Sequence, residues 1–337
     1  MKFENKTILV TGATGLIGSS LVFKLIKNKK INVIALSRNK NKILKHFSIC
    51  LNKQNFSFVI HDISKPLKNL KRKINYIFHA ASSHEAKIIK NKPMNIIYSN
   101  VLGTLNCLNY LKKQKKDKKI SAKLILLSSI TVYRNNSKID LTFNERHDTQ
   151  SQQVNSLSIP YSESKRFSEI IALSYARQFN VNINICRLST VYGFTMNTTD
   201  SAFYNFINDS MLGKNIIIKN KNLPRRDNIY VDDAITGLLK VAFYGTPNEI
   251  YNISSNKELN NFLALDEIAK IIIDLSNQRF GSSSKKANLI FDKFKKPVRK
   301  PGIILDNSKL KKLGWNLKTN IYEGIKKTIK LYKLKKI

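Results

Sequence analysis

The sequence of 337 residues predicts an α/β fold, a doubly wound parallel sheet, on three observations. Short β-rich runs alternate with helical stretches through the first half. The first run empties directly into a glycine-rich turn. After about residue 190 the pattern gives way to shorter, more polar segments. Strands alternating with helices argue for a parallel sheet covered on both faces and wound right-handed. Strands are expected at Thr7–Val10, Asn32–Ser37, Phe56–Ile60, Tyr76–His79, Leu124–Ser128 and Asn182–Cys186. Amphipathic helices are expected at Ser19–Asn28, Pro93–Gln114 and Tyr161–Phe179. Ligands in such folds sit beyond the carboxyl ends of the strands, so strand-end residues carry the functional information.

Composition narrows the class. Hydrophobic residues make up 42% of the chain, enough for a large core in one or two closely joined domains. No uninterrupted apolar run approaches the ~18 residues of a membrane span. Lys2, Glu4 and Lys6 interrupt the N-terminus, which therefore does not read as an export signal. Cys50, Cys107 and Cys186 are too scattered for a metal site or a disulfide framework, which fits a reducing cytoplasm. The net charge of +37 ordinarily suggests nucleic acid. Here the lysines are spread along the whole chain beside excesses of Asn and Ile, residues that share A/T-rich codons. Genomic base composition accounts for all three, and no nucleic-acid partner is expected. The densest cluster, Lys112 to Lys119, reads as a solvated loop after a helix. A positive field would still speed the approach of an anionic substrate.

The first strand runs into Thr11-Gly12-Ala13-Thr14-Gly15-Leu16-Ile17-Gly18 and then into a helix. Glycines serve there to turn tightly, to let backbone approach a pyrophosphate and to let helix pack on strand. Free N–H groups at the helix N-terminus then face the phosphates. The spacing is G-x-x-G-x-x-G, so a Rossmann-type dinucleotide site is matched in mechanism. The second strand ends at Ser37-Arg38-Asn39, where an NAD site usually holds the ribose with an acid. Arg38 suits a 2′-phosphate instead, and the reading leans to NADP; stacking on adenine or pointing into water are its other uses. Asp62, before Ile63, either accepts from the adenine amino group or caps the next turn.

Hydroxyls close a buried strand at Ser128-Ser129-Ile130-Thr131-Val132-Tyr133, and Tyr161-Ser162-Glu163-Ser164-Lys165 opens a helix. Tyrosine and lysine four apart share a helix face. The ammonium is expected to lower the phenol's pKa and make it a proton acceptor, with a serine hydroxyl orienting the same substrate oxygen. Lysine can also hold the nicotinamide ribose.

These residues resemble the extended short-chain dehydrogenase/reductases that act as nucleotide-sugar epimerases, dehydratases and decarboxylases. The match also takes in His79-Ala80-Ala81, Asn100 with Gly103-Thr104, Arg187, Tyr192-Gly193, Arg226 to Asp233, Tyr251-Asn252-Ile253 and Leu313-Gly314-Trp315. The resemblance implies Ser129, Tyr161 and Lys165 as the catalytic trio. It implies a cofactor held by Gly12, Gly15, Leu16, Ile17, Gly18, Asp62, Ile63, Ala80, Ala81 and Asn100, and Arg226 and Arg299 on the substrate diphosphate. A surface pair with Asp227 is the plain alternative for Arg226. The resemblance further implies a smaller C-terminal α/β substrate-binding domain of about residues 190–228 and 251–337. Residues 1–189 and about 229–250 then form the cofactor domain. Homodimerisation through Pro93–Gln114 and Tyr161–Phe179 is also implied.

Departures narrow the subclass. The dehydratases carry Asp-Glu where Ile130 and Thr131 stand, and the decarboxylases typically keep the glutamate; neither Ile130 nor Thr131 transfers protons near neutral pH. Thr131 fits a 4-epimerase, and equally a reductase of 4-keto sugars. Arg134 replaces a glycine, and the polar stretch from Arg134 to Pro160 is expected to shape the sugar pocket. His84 and Glu85 are candidates to face the sugar, Thr190 stands where relatives carry Asn, and Ile303 replaces an Asp. A third reading, a basic fold kept for RNA binding after losing its chemistry, is motivated only by charge.

Overall fold

The computed structural model describes residues 4–68, 70, 72–82, 86–118, 122–149, 156–196, 201–278, 286–294 and 296–336. Seven strands build the main sheet: β1 (Thr7–Thr11), β2 (Asn32–Ser37), β3 (Phe56–Ile60), β4 (Tyr76–His79), β5 (Lys123–Ser129), β6 (Asn182–Leu188) and β7 (Glu249–Ile253). All pairs are parallel and the spatial order is 3-2-1-4-5-6-7. The order reverses between β1 and β4, which opens a crevice at their carboxyl ends. Because side chains alternate along a strand, Ile8 and Val10 join the apolar cluster on one face and Leu9 the cluster on the other.

The first face is covered by the helices Leu16–Leu25 and Val231–Tyr244, whose Leu21, Val22, Leu238 and Val241 are buried. The same cluster continues without a break to Trp315, Ile321, Ile325 and Ile329, so the C-terminal part packs directly on the sheet. The opposite face is covered by Gly103–Lys118 and Ile159–Phe179, through Cys107, Leu108, Leu111, Ala172 and Ala176. All three cysteines are buried free thiols. No helix of the described residues is long and apolar enough to cross a membrane.

Beyond β6 the small strands pair across long sequence distances. Thr190–Tyr192, Arg226–Tyr230 and Phe262–Leu263 form a three-stranded sheet. Ile216–Ile218 pairs with Leu289–Phe291, and Asn222–Pro224 with Val298–Lys300. The edge strand β7 extends to Ile253, three residues past the expected boundary at 250.

Three local expectations are corrected. The helix beginning at Pro93 contains a π turn at Tyr98–Leu102 and then runs on to Lys118. Lys112 to Lys118 therefore lie in helix: Lys112 Nζ sits 3.6 Å from the Phe179 ring centroid, and Lys115 donates to Asn180 O at 2.7 Å. Lys112 thus makes a cation–π contact and Lys115 a hydrogen bond to the end of the neighbouring helix. Within the polar stretch 134–160, Leu141–Phe143 pairs with Ile303–Leu305, and Gly302 N–H donates to Asp140. Much of that stretch thus docks on the C-terminal part; of its described residues, only Ser158 lines the reaction cavity described below.

Candidate active site

The turn after β1 shows why glycine is needed twice. Gly12 has φ +63, and a Cβ there would lie 2.6 Å from Ala80 O and from Ala81 Cα. A Cβ on Gly18 would run into Gly12 O. Gly15 caps the following helix in extended conformation, leaving the first-turn N–H groups open to a phosphate. A cavity of about 360 Å³ opens beside this turn and is lined by Gly12, Gly15, Arg38, Asp62, Ile63, Ala80 and Ala81. These backbone-rich walls fit the adenosine half of a dinucleotide. Leu16, Ile17 and Gly18 line the adjoining cavity on the other side of the turn.

Arg38 is exposed at the rim of this cavity, and Lys42, in the first turn of the helix Lys40–His46, lines it too. Lys42 escaped the sequence reading, although a cation three residues after the capping Asn39 was the available signal. Asp62 does cap its turn: Oδ1 accepts from Ser64 N–H at 3.0 Å and Ser64 Oγ at 2.9 Å. Burial pushes this carboxyl up, but the Ser64 hydrogen bonds and the nearby Arg38 and Lys65 outweigh it and hold the group below its ordinary value.

Ser129, Tyr161 and Lys165 converge on a second cavity of about 410 Å³, which Thr131, Thr190 and Arg226 also line. Ser129 ends β5 and caps the 3₁₀ turn Ile130–Val132, accepting from Thr131 N–H at 3.2 Å and from Thr131 Oγ1 at 3.1 Å. With its oxygen so occupied, the Ser129 hydroxyl proton is free to be given to Tyr161. Lys165 is buried, donates from Nζ to Leu127 O at 2.6 Å, and lies 6.0 Å from the Tyr161 ring centroid.

The proton affinities correct one expectation. Burial raises the Tyr161 phenol above its ordinary value, and only the Ser129 hydrogen bond pulls it back; Lys165 does not lower it. The ammonium is engaged on the Leu127 carbonyl and is itself pushed down to about 8 by desolvation, with Glu169 resisting. His79, bonded through Nδ1 to Thr11 Oγ1 at 2.8 Å, is driven by burial and by Lys165 down to about 3 and stays neutral.

Other expected residues divide. Asn100 is buried in the π turn and donates to Ser164 Oγ at 2.8 Å, while Ser168 Oγ donates to its backbone oxygen. It thus ties two helices together and does not line the cavities. Arg226 lines both the reaction cavity and an adjoining cleft of about 620 Å³. Its neighbour Asp227 points the other way along the strand, fully buried, accepting from Ser255 and Leu305; the surface-pair alternative is excluded. Arg299 is not brought to the cleft. Its fork closes on Asp266, Nη1 to Oδ1 at 2.6 Å and Nη2 to Oδ2 at 2.9 Å, which turns the paired face of the guanidinium toward that carboxylate. His84 and Glu85 lie outside the described residues. Ser82 and Ser189 were missed: both line the reaction cavity with buried hydroxyls that have no hydrogen-bond partner among the described residues. No motif marks them. Among the described residues no His/Cys/Asp/Glu cluster could hold a metal ion.

Comparison with known proteins places this architecture. The chain is 28% identical over 326 residues to UDP-glucuronic acid decarboxylase 3 of Arabidopsis thaliana, covering 95% of this chain and 87% of that protein. It is 29% identical over 335 residues to human dTDP-D-glucose 4,6-dehydratase, covering 97% and 90%. Its fold matches that of Thermotoga maritima UDP-glucose 4-epimerase solved with UDP-glucose, at TM-score 0.77 and 24% identity, over 98% of this chain and 100% of that one. Residues 8–254 match the family model described as the NAD dependent epimerase/dehydratase family. The chain belongs to that family, NAD(P)-dependent enzymes of nucleotide-sugar chemistry built on a Rossmann-type sheet.

Proposed function

We propose that the protein is a nucleotide-sugar 4-epimerase. One observation carries the reading: Ser129, Tyr161 and Lys165 face a cavity in which Thr131, hydrogen-bonded to Ser129, stands where dehydration would need an acid. Among its described lining residues there is no carboxylate. In this reading the bound cofactor would supply the hydride acceptor, and then the donor, for C4 of the sugar. Tyr161 Oη takes the hydroxyl proton, and Ser129 holds the sugar oxygen. The keto sugar turns about a diphosphate anchored at Arg226, and Tyr161 Oη returns the proton once the other face is presented. Residues 1–189 and about 229–250 would carry the cofactor, and about 190–228 and 251–337 the sugar nucleotide.

Incubation with a panel of nucleoside-diphosphate sugars tests this. Interconversion of one 4-epimer pair with no net loss of cofactor is expected. Stoichiometric consumption of NADPH against a 4-keto sugar would instead establish the reductase reading, which Arg38 and Lys42 beside the adenosine cavity favour. Loss of carbon dioxide or water from the sugar would restore the decarboxylase or dehydratase reading.

Arg38 and Lys42 support a preference for NADP, because no acid follows β2 and two cations flank the ribose end. Arg38→Ala is expected to weaken NADP binding ~10–100-fold, the loss of charged hydrogen bonds, and NAD binding less than about threefold. Fluorescence titration with both dinucleotides reads this; an equal fall for both removes the 2′-phosphate role.

A homodimer is supported by Met94, Tyr98 and Leu102, exposed at i, i+4 and i+8, and by Phe167 and Ile170 on the neighbouring helix. Sedimentation should give a dimer, and Phe167→Lys with Ile170→Lys should give a folded monomer. A monomeric wild type rejects the interface.

A further inference from the structure

The helix Ile159–Phe179 grips β5 through two consecutive residues. Lys165 Nζ donates to Leu127 O at 2.6 Å, and one turn later Glu169 Oε1 accepts from Ser128 Oγ at 2.5 Å. Both side chains are buried. Arg187, the register partner of Ser128 on β6, closes on the same carboxylate, with Nη2 to Oε2 at 2.7 Å and Nε to Oε1 at 3.0 Å. Its remaining Nη1 donates to Tyr133 OH at 2.6 Å, and that hydroxyl bonds Asn252 Oδ1 at 3.1 Å.

This arrangement is more than a staple between helix and sheet. A buried ion pair is weak evidence for stability, because desolvation offsets its attraction. The charges packed about Lys165 explain what it does. Its own helix presents Tyr161 and Glu169, β4 presents the neutral His79, β5 offers carbonyl and hydroxyl groups, and β6 presents Arg187. Glu169 is the sole anion of that set. Without it, two cations would share one dry site.

We propose that Glu169 is a positioning residue that keeps Lys165 as the charged ammonium, anchored on Leu127 and facing Tyr161. Arg187 compensates the carboxylate and fixes it on Ser128, so that its charge acts on the next turn of the helix. The inference rests on the catalytic reading of Lys165 given above. Desolvation drives the Lys165 ammonium down to about 8, and Glu169 is the group that holds it up. The ammonium therefore persists below about pH 8 and is lost above it.

The test follows the titration of Lys165 by NMR of lysine labelled at Cε, its resonance identified by difference with Lys165→Met. In Glu169→Gln the midpoint is expected to fall by about one pH unit or more, the size of a close charge effect. The alkaline limb of the kcat/KM profile should move down with it. Glu169→Asp, which keeps the charge, should restore most of the midpoint even where it does not restore Tm. An unchanged midpoint in Glu169→Gln that has lost only thermal stability overturns the proposal and leaves a structural pair. Should that variant not fold, Glu169→Gln with Arg187→Met removes both charges; a smaller fall is expected, because the second cation is gone as well, and an unchanged midpoint again overturns the proposal. A Lys165→Met enzyme with full turnover would overturn the catalytic reading instead, without touching the titration result.

Discussion

Tyr161→Phe is expected to lower kcat by ~10³-fold, the usual scale for removing a positioned proton-transfer group. Cofactor affinity should stay within about threefold of wild type, less than ~0.7 kcal/mol. The variant deletes one oxygen whose hydrogen bond is to Ser129, and the ring keeps its place at the start of the helix. Tm should hardly change. Single-turnover measurement with the sugar nucleotide, beside a cofactor titration, separates the outcomes. Full activity would remove Tyr161 from the chemistry, and loss of cofactor would make its role structural. The pH dependence of the wild type belongs to the same prediction. Lys165 is pushed below the ordinary lysine value, to about 8. Its ammonium is present below that pH and vanishes above it, so turnover should fall as pH rises through about 8. Burial raises the phenol, and the Ser129 hydrogen bond is what draws it back.

The legible part of this site is the part encoded by local spacing. Ile8, Leu9 and Val10 read as a buried strand because an apolar run followed at once by a glycine turn has few other uses, and Gly12 and Gly18 are where a Cβ would collide. Tyr161 and Lys165 were found because four residues are one helical turn. Glu169 lies one further turn along the same face, and that spacing was available in the sequence; its significance depends on Ser128 and Arg187, which only the sheet register brings to it. Arg299 was misread for the same reason. Its partner Asp266 is 33 residues away, and no local pattern shows that the fork is already engaged. The effect of Lys165 on Tyr161 was overestimated because spacing gives proximity but not the competing carbonyl of Leu127 or the desolvation of the phenol.

Arg226→Leu should raise KM for the sugar nucleotide ~100-fold or more, since two charged hydrogen bonds to a diphosphate contribute roughly 3 kcal/mol. Strand alternation carries the expectation. Asp227 faces inward on Ser255 and Leu305, so Arg226 and Asn228 face the cleft together. Desolvation lowers the Arg226 guanidinium, and among the described residues no carboxylate offsets it. Arg299, held by Asp266, is not in that position. Removing Arg226 therefore breaks no internal pair, and Tm should stay within a few degrees, about what a surface substitution costs. Arg226→Lys keeps the charge but loses the planar fork, and should fall between, at roughly 10-fold. An epimerase needs the anchor twice, to bind the substrate and to retain the keto sugar while it turns. In Arg226→Leu a free keto sugar should consequently escape during turnover, detectable by trapping with borohydride. Unchanged KM with no escape would move the diphosphate anchor elsewhere in the cleft. A raised KM without escape would confine Arg226 to the first encounter.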